Sequence, residues 1–393
     1  MWEKLKFYVG LLVGIVLMSA CCLLAGHIKF SFTNGQPLQK SFQADEKLGY
    51  LDSMIDKFYI DQNTVSDKRT EFLDELYFDY VASLNDPYSS YMDSTYYAQF
   101  QQESTGSYAG IGVVVSTDKD DQSITVVTVF DDTPGSHAGI KPGDKILKVN
   151  GQDVNTMIDT AVSMIKGEPG TTVDVTFFRG QTDETLTFTL TREKINIPTV
   201  SHKIIDGHIG YIEIAQFDEI TYEQFASAYR DITRQNAKSL IIDLRNNPGG
   251  LLDTVTKITD MLLPEGIITY TIDKDGKRND WRSNAACTDL PMVILVNDYS
   301  ASASEVMTGA LKDYKMATVI GTTTFGKGIV QRIFPIGDGS AVKLTVSKYY
   351  SPNGVCIHGT GIEPDIMVEM SHEDIGGGND IQLQKAVEVL NSF

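Results

Sequence analysis

Apolar residues run without a charge from Phe7 to Gly26. Twenty helical residues span roughly 30 Å, the thickness of a bilayer core, so this stretch predicts a transmembrane helix. Residues 27–43 turn polar, with Asn34-Gly35 and Pro37, and read as a linker. From 44 to 104 the apolar spacing is helical. Leu48, Leu51, Ile55 and Phe58 share one face, and Phe72, Leu76 and Leu84 belong to a second helix that ends at Asn85-Asp86-Pro87. The pattern then shortens to strand-like runs at 111–115, 125–129, 145–149, 173–178 and 186–190. Pro134-Gly135, Pro142-Gly143 and Asn150-Gly151 punctuate them, and a short helix fits 157–165. Beyond 195 the pattern becomes α/β. Buried-strand runs at 209–214, 240–244, 292–296 and 318–320 alternate with helical segments near 222–235, 252–263 and 302–312. An amphipathic helix closes the chain at 380–390.

Charge narrows the function classes. The 393-residue chain carries a net charge of −19, which argues against nucleic acid as a partner because phosphate contacts want a basic surface. Lys4 and Lys6 precede the apolar stretch, so residues 1–6 are expected in the cytoplasm and the bulk of the chain outside it. A cleavable signal peptide and a lipoprotein modified at Cys21 are the rival readings of 7–26; the length of the apolar stretch favours an uncleaved anchor. Cys287 and Cys356 have no His or Cys at zinc-ligand spacing, and a disulfide between them is left open.

Residues 105–192 resemble a PDZ domain. The resemblance rests on Tyr108-Ala109-Gly110-Ile111-Gly112, on the run from Pro134 through Gly139 and Pro142-Gly143-Asp144 to Ile146, and on Val149-Asn150-Gly151. Glycines before a strand expose N–H groups that can hold a terminal carboxylate, and the strand edge can accept a peptide as an added strand. Gly110, Ile111 and Gly112 are therefore candidate substrate contacts. Arg179, before Gly180, is a candidate carboxylate contact or a solvated strand end.

Nearly the whole chain after the anchor resembles the C-terminal processing peptidases, the tail-specific serine proteases. The matching pieces are Asp86-Pro87-Tyr88-Ser89-Ser90-Tyr91, the 243–250 run Asp-Leu-Arg-Asn-Asn-Pro-Gly-Gly, Ser300 to Glu305, Thr324 to Gln331, 361–366 and 382–386. The resemblance implies a crotonase-like α/β protease core at 193–370, a C-terminal segment at 371–393, and the PDZ module inserted after a helical region at 44–104.

Peptide hydrolysis needs a nucleophile, a base and an oxyanion site. Ser300, Ser302 and Ser304 all precede a helix, and composition does not choose among them. Ser302 with Glu305 also fits a helix capping box, which is an innocent reading. Of the histidines beyond the anchor, His137, His202, His208, His358 and His372, none is tied to a serine. Lys327 lies between Gly326 and Gly328 beside Phe325, Ile329 and Val330, where drying would lower its pKa. The resemblance selects Ser302 as nucleophile, Lys327 as base and Gln331 as the group that orients the lysine. It points to Ala303 and a glycine of the Pro248-Gly249-Gly250 turn, Gly249 first, as oxyanion donors. The expectation is a membrane-anchored endopeptidase with its catalytic domain outside the cytoplasm, acting on proteins with free C-termini and needing no metal or cofactor. On family precedent, region 44–104 is a candidate homodimer surface. The rivals are a catalytically inactive membrane-tethered PDZ adaptor and an acyl-CoA enzyme of the crotonase type.

Overall fold

A computed structural model describes residues 44–60, 62–118, 121–284 and 287–392. The anchor expected at 7–26 and the linker at 27–43 lie outside the described residues. Among the described residues no helix is long and apolar enough to cross a membrane. The chain divides into two compact units, one ending at Leu73 and one running from Asp74 to Phe393.

In the first unit α1 (Ala44–Phe58) is followed by the start of α2 (Gln62–Ala82). Arg69 of α2 pairs with Asp52 and Asp56 of α1 at 2.5 and 3.0 Å. The apolar face of α1 is exposed, with Leu51 and Phe58 among its open residues.

In the second unit the turn after α2 leads to β1 (Ser90–Met92) and α3 (Ser94–Ser104), whose first turn is capped by the Asp93 carboxylate accepting from Tyr96 N–H. The β-rich module then begins with β2 (Ser107–Gly110), β3 (Val113–Thr117) and β4 (Ile124–Val129). It continues through a turn of helix α4 (Pro134–His137), β5 (Lys145–Val149), β6 (Gln152–Asp153) and α5 (Ile158–Ile165) to β7 (Thr172–Arg179) and β8 (Glu184–Thr191). Its sheet runs β3-β4-β5-β7-β8 around a core of Ile124, Ile146, Val175 and Phe177. The strand β9 (Glu193–Asn196) pairs antiparallel with β2, so the module's entry and exit are zipped together.

The remaining chain builds a six-stranded sheet from β10 (Val200–Ile205), β11 (Ile209–Ile214), β12 (Ser239–Asp243), β15 (Met292–Val296), β16 (Ala317–Gly321) and β19 (Ile366–Met367), in that order. All but β10 run parallel. Parallel strands covered on both faces need apolar side chains in both directions, which is why β15 reads as an unbroken apolar run and β12 is apolar through Leu240, Ile241 and Ile242. Ile212, Ile242 and Ile294 face α6 (Thr221–Arg234), α7 (Leu252–Asp260) and α8 (Ala303–Asp313) through Phe225, Val255 and Met307. Tyr211, Ile241, Val293 and Leu295 face α9 (Ile381–Leu390) through Ala386 and Leu390. A second, antiparallel sheet takes the order β1-β18-β13-β14, from β13 (Gly266–Asp273), β14 (Arg278–Ser283) and β18 (Ala341–Tyr350), with β17 (Ile329–Pro335) also paired to β18. The sequence pattern did not signal this sheet. Its strands keep one face polar or half-covered and lack the long apolar runs of the parallel strands. Cys287 and Cys356 stand as free thiols.

Candidate active site

The carboxyl ends of adjacent parallel strands are where an α/β sheet opens a crevice. The turn 244–250 leaves β12 there, and the turn 297–302 leaves β15. Ser302 ends the second turn, one residue before α8, with φ 56° and ψ −112°. A residue with a Cβ avoids that conformation unless its surroundings hold it. Four hydrogen bonds do so. Ser302 N–H donates to Glu305 Oε2 at 2.8 Å. The Ser302 carbonyl accepts from Glu305 N–H at 2.9 Å, Val306 N–H at 3.0 Å and the Tyr349 hydroxyl at 3.0 Å. Burial, with the nearby Glu305 carboxylate, pushes the Tyr349 phenol well above its ordinary pKa, so it stays a donor.

Glu305 does more than cap its helix. Its carboxylate is almost fully buried and also accepts from Thr324 Oγ1 at 2.6 Å, Gly326 N–H at 2.7 Å and Lys327 N–H at 2.8 Å. One carboxylate therefore ties the serine turn to the loop between β16 and β17 that carries Lys327. The capping box was legible in sequence; the clamp on the second loop, formed across long sequence separation, was not.

Lys327 is half-buried, and its Nζ lies 4.8 Å from the centre of the Tyr88 ring. Among the described residues its ammonium has no hydrogen bond or ion pair. Burial lowers its pKa, the positive charge of Lys343 lowers it further, and Glu305 and Asp86 act in the opposite sense. Gln331 lines the same crevice, and its amide nitrogen reaches Thr345 Oγ1 at 3.4 Å. Ser302, Ala303, Lys327 and Gln331 thus border one cavity of about 380 Å³, with apolar walls from Leu252, Val306 and Ile329. Among the described residues no histidine borders it. His358 packs by its backbone against Gly328, where a Cβ would lie 2.6 Å from the His358 nitrogen.

The oxyanion expectation needs one correction. Gly249 N–H donates to Asn247 Oδ1 at 2.8 Å, so it is spent on shaping the turn. Gly249 is still needed. At φ 106° it lies so close to the serine that a Cβ would come within 2.8 Å of Ser302 Cβ. Gly250 borders the cavity instead, as does Ala303. Among the described residues neither of their N–H groups has a hydrogen-bond partner, so both are open to an oxyanion.

A model of peptidase family S41 matches residues 208–368, and a PDZ domain model matches 108–190. The carboxyl-terminal-processing protease of Synechocystis sp. is 35% identical over 319 residues, which cover 79% of this chain and 75% of that one. The carboxy-terminal-processing protease of Bartonella bacilliformis is 38% identical over 76% of this chain and 70% of its own length. The carboxy-terminal processing protease CtpA of Bacillus subtilis is 33% identical over 94% of this chain and 78% of its own length. The chain belongs to peptidase family S41. It is accordingly a serine-type peptidase that carries a PDZ domain.

In the PDZ domain of this S41 peptidase an apolar groove lies between β3 and α5, lined by Ile111, Val113, Val115, Val162 and Ile165. Gly112, at φ 80°, turns the chain into β3, and a Cβ there would strike Thr133 at 2.3 Å. Tyr108 is a feature that sequence reasoning passed over. Its ring lies over Gly110, with Cε2 2.7 Å from where a Cβ would stand, and Gly112 N–H faces its phenolic oxygen. Arg179 is not placed in the groove. Its guanidinium is bidentate to the buried Asp144 at 2.8 and 2.6 Å and donates to the Gly139 carbonyl at 2.8 Å, so it braces the domain.

The Asp243 and Arg245 pair fixes the turn below the crevice. Arg245, fully buried, binds Asp243 at 2.6 Å and Asp380 at 2.8 Å, and Tyr211 donates to Asp243 at 2.8 Å. The start of α9 is thereby locked to the turn that carries Gly250.

Proposed function

We propose that the chain is a membrane-anchored C-terminal processing endopeptidase that works with a Ser302–Lys327 dyad supported by Gln331, on a crotonase-like core. The observation that carries the reading is the shared Glu305 carboxylate, which holds the serine turn and the lysine loop on one crevice that no histidine borders among the described residues. Ser302 Oγ attacks the scissile carbonyl carbon while neutral Lys327 Nζ takes the hydroxyl proton. The new C–O bond converts the carbonyl oxygen to an oxyanion, which Ala303 and Gly250 N–H groups receive. As the tetrahedral intermediate collapses, the C–N bond breaks and Lys327 passes its proton to the leaving amine. A water then attacks the acyl-serine, giving its proton to Lys327, and Ser302 recovers its proton as the new carboxylic acid leaves. For the first step Lys327 Nζ moves from the Tyr88 face toward Ser302, and Gln331, which lines the same cavity, is the group that orients it.

The groove beside Gly110, Ile111 and Gly112 suits capture of a protein's C-terminal tail as an added strand. The uncharged stretch 7–26, with Lys4 and Lys6 ahead of it, supports a single-pass anchor and an extracytoplasmic catalytic domain. The exposed apolar face of α1 supports a homodimer through the helical region. The test is cleavage of casein by the full chain and by Ser302→Ala. Loss of cleavage with retained binding of a C-terminal peptide supports the reading, and unimpaired cleavage by Ser302→Ala overturns it.

A further inference from the structure

The crevice contains a second lysine that the reaction scheme leaves unused. Lys343 lies on β18, directly opposite Ile333 of β17, and two residues from Thr345, which is opposite Gln331. Residues directly opposite, or two apart, on antiparallel strands share a face. Gln331, Ile333 and Lys343 accordingly all border the cavity of Ser302 and Lys327. Lys343 is half-buried, and among the described residues its ammonium forms no ion pair or hydrogen bond. A surface lysine would find water. A lysine that borders a cleft with no carboxylate partner instead adds its charge to whatever shares the cleft.

We propose that Lys343 is a positioning residue for the reaction: its side chain, bordering the same cavity, favours the neutral form of Lys327 that can accept the Ser302 proton. This rests on the dyad reading. Both lysines border one cavity, and the positive charge of Lys343 opposes a second positive charge on the buried Lys327 amine. The groups around Lys327 pull in both directions. Glu305 from α8 and Asp86 from the turn before β1 favour its protonated form, as does the Tyr88 ring face, while burial and Lys343 oppose it. Glu103 of α3 and Asp218 border the cavity farther along, and burial raises the Asp218 carboxyl, which blunts its charge. Tyr349 is a neutral phenol bound to the Ser302 carbonyl. Without Lys343 the neighbours that favour protonation have only burial against them.

The test is the pH profile of kcat/KM for casein cleavage by the full chain, its Lys343→Met and Lys343→Arg variants. Lys343→Met keeps the stem and removes the charge. It is expected to lose on the order of threefold to tenfold at pH 7, with the acid limb moved to higher pH and activity recovered in alkaline buffer. Lys343→Arg restores the charge and is expected to restore the limb. A loss equal at every pH overturns the inference and marks a substrate contact; an acid limb unmoved in Lys343→Met overturns it when the Lys327 titration below is unmoved as well. Titration of the Lys327 side chain by NMR in a 13C-lysine-labelled Ser302→Ala chain, with and without Lys343→Met, separates this from failure of the dyad. A moved titration with an unmoved rate profile upholds the electrostatic role of Lys343 and sinks Lys327 as the base. An unmoved titration sinks the role of Lys343 itself.

Discussion

Ser302 holds a backbone conformation that few side chains tolerate, and Glu305 is the residue with most hold on it. Removing the Glu305 carboxylate leaves four donors without their acceptor in a nearly closed space. Each buried donor left unpaired costs about 1–3 kcal/mol, less whatever water recovers. Glu305→Ala is therefore expected to lower unfolding free energy by roughly 3 kcal/mol and casein cleavage by at least about a hundredfold. Urea denaturation and initial rates check the two; normal cleavage would show that the clamp does not position the dyad. At this scale the sequence was legible where chemistry is local. Ser302 and Glu305 announced a cap by their spacing. Lys327 announced a dry niche by its neighbours. The Glu305 clamp, the Tyr88 face and the open Gly250 N–H depend on loops brought together by the sheet, and no local pattern encodes them. The choice of Gly249 failed for the same reason: its N–H is taken by a side chain two residues back, a detail of turn geometry.

Among the elements, α9 and the PDZ groove carry separate predictions. The first turn of α9 is anchored by Asp380. Burial alone would raise its carboxyl, but Arg245 and the Gly376 and Leu383 N–H groups overcome that and hold it below the ordinary carboxylate range. A carboxyl depressed in the folded state stabilises above its unfolded pKa and loses that contribution as pH falls through the folded one. Asp380→Asn should thus lower stability by about 3–5 kcal/mol at pH 7, with the deficit shrinking below pH 4. Urea midpoints at both pH values test this, and an equal deficit at both would contradict it. In the proposed capture of a tail, the carboxylate would meet the Tyr108 phenol on the way to the Gly112 N–H. Tyr108→Phe is expected to bind a C-terminal peptide about threefold to tenfold more tightly by calorimetry. Weaker binding would mean that the hydroxyl assists the ligand. The buried parallel strands were readable because two-sided burial forces unbroken apolar runs. The antiparallel sheet that carries Gln331 and Lys343 was not, because its half-covered strands mix polar and apolar residues on both faces.

For the whole molecule, the two sheets have different tasks. The parallel sheet supplies the serine turn and the turn proposed to hold the oxyanion, at the ends of β15 and β12. The antiparallel sheet supplies Gln331 and Lys343, and the loop that joins β16 to β17 carries Lys327 between them. On the proposed dyad, activity depends on the seam between the sheets, and it should rise with pH through a lysine pKa lowered by burial and by Lys343. The expected profile has an acid limb below the ordinary lysine range, read as kcat/KM against pH, whereas a limb in the ordinary histidine range that persists in Lys327→Ala would assign the base elsewhere. The most direct measurement is the rate of casein cleavage by full-length Lys327→Ala whose urea midpoint matches the parent. The account predicts a fall of about a hundredfold to ten-thousandfold, the usual worth of a general base. Cleavage within about threefold of the parent, a change worth under 1 kcal/mol of barrier, would contradict it.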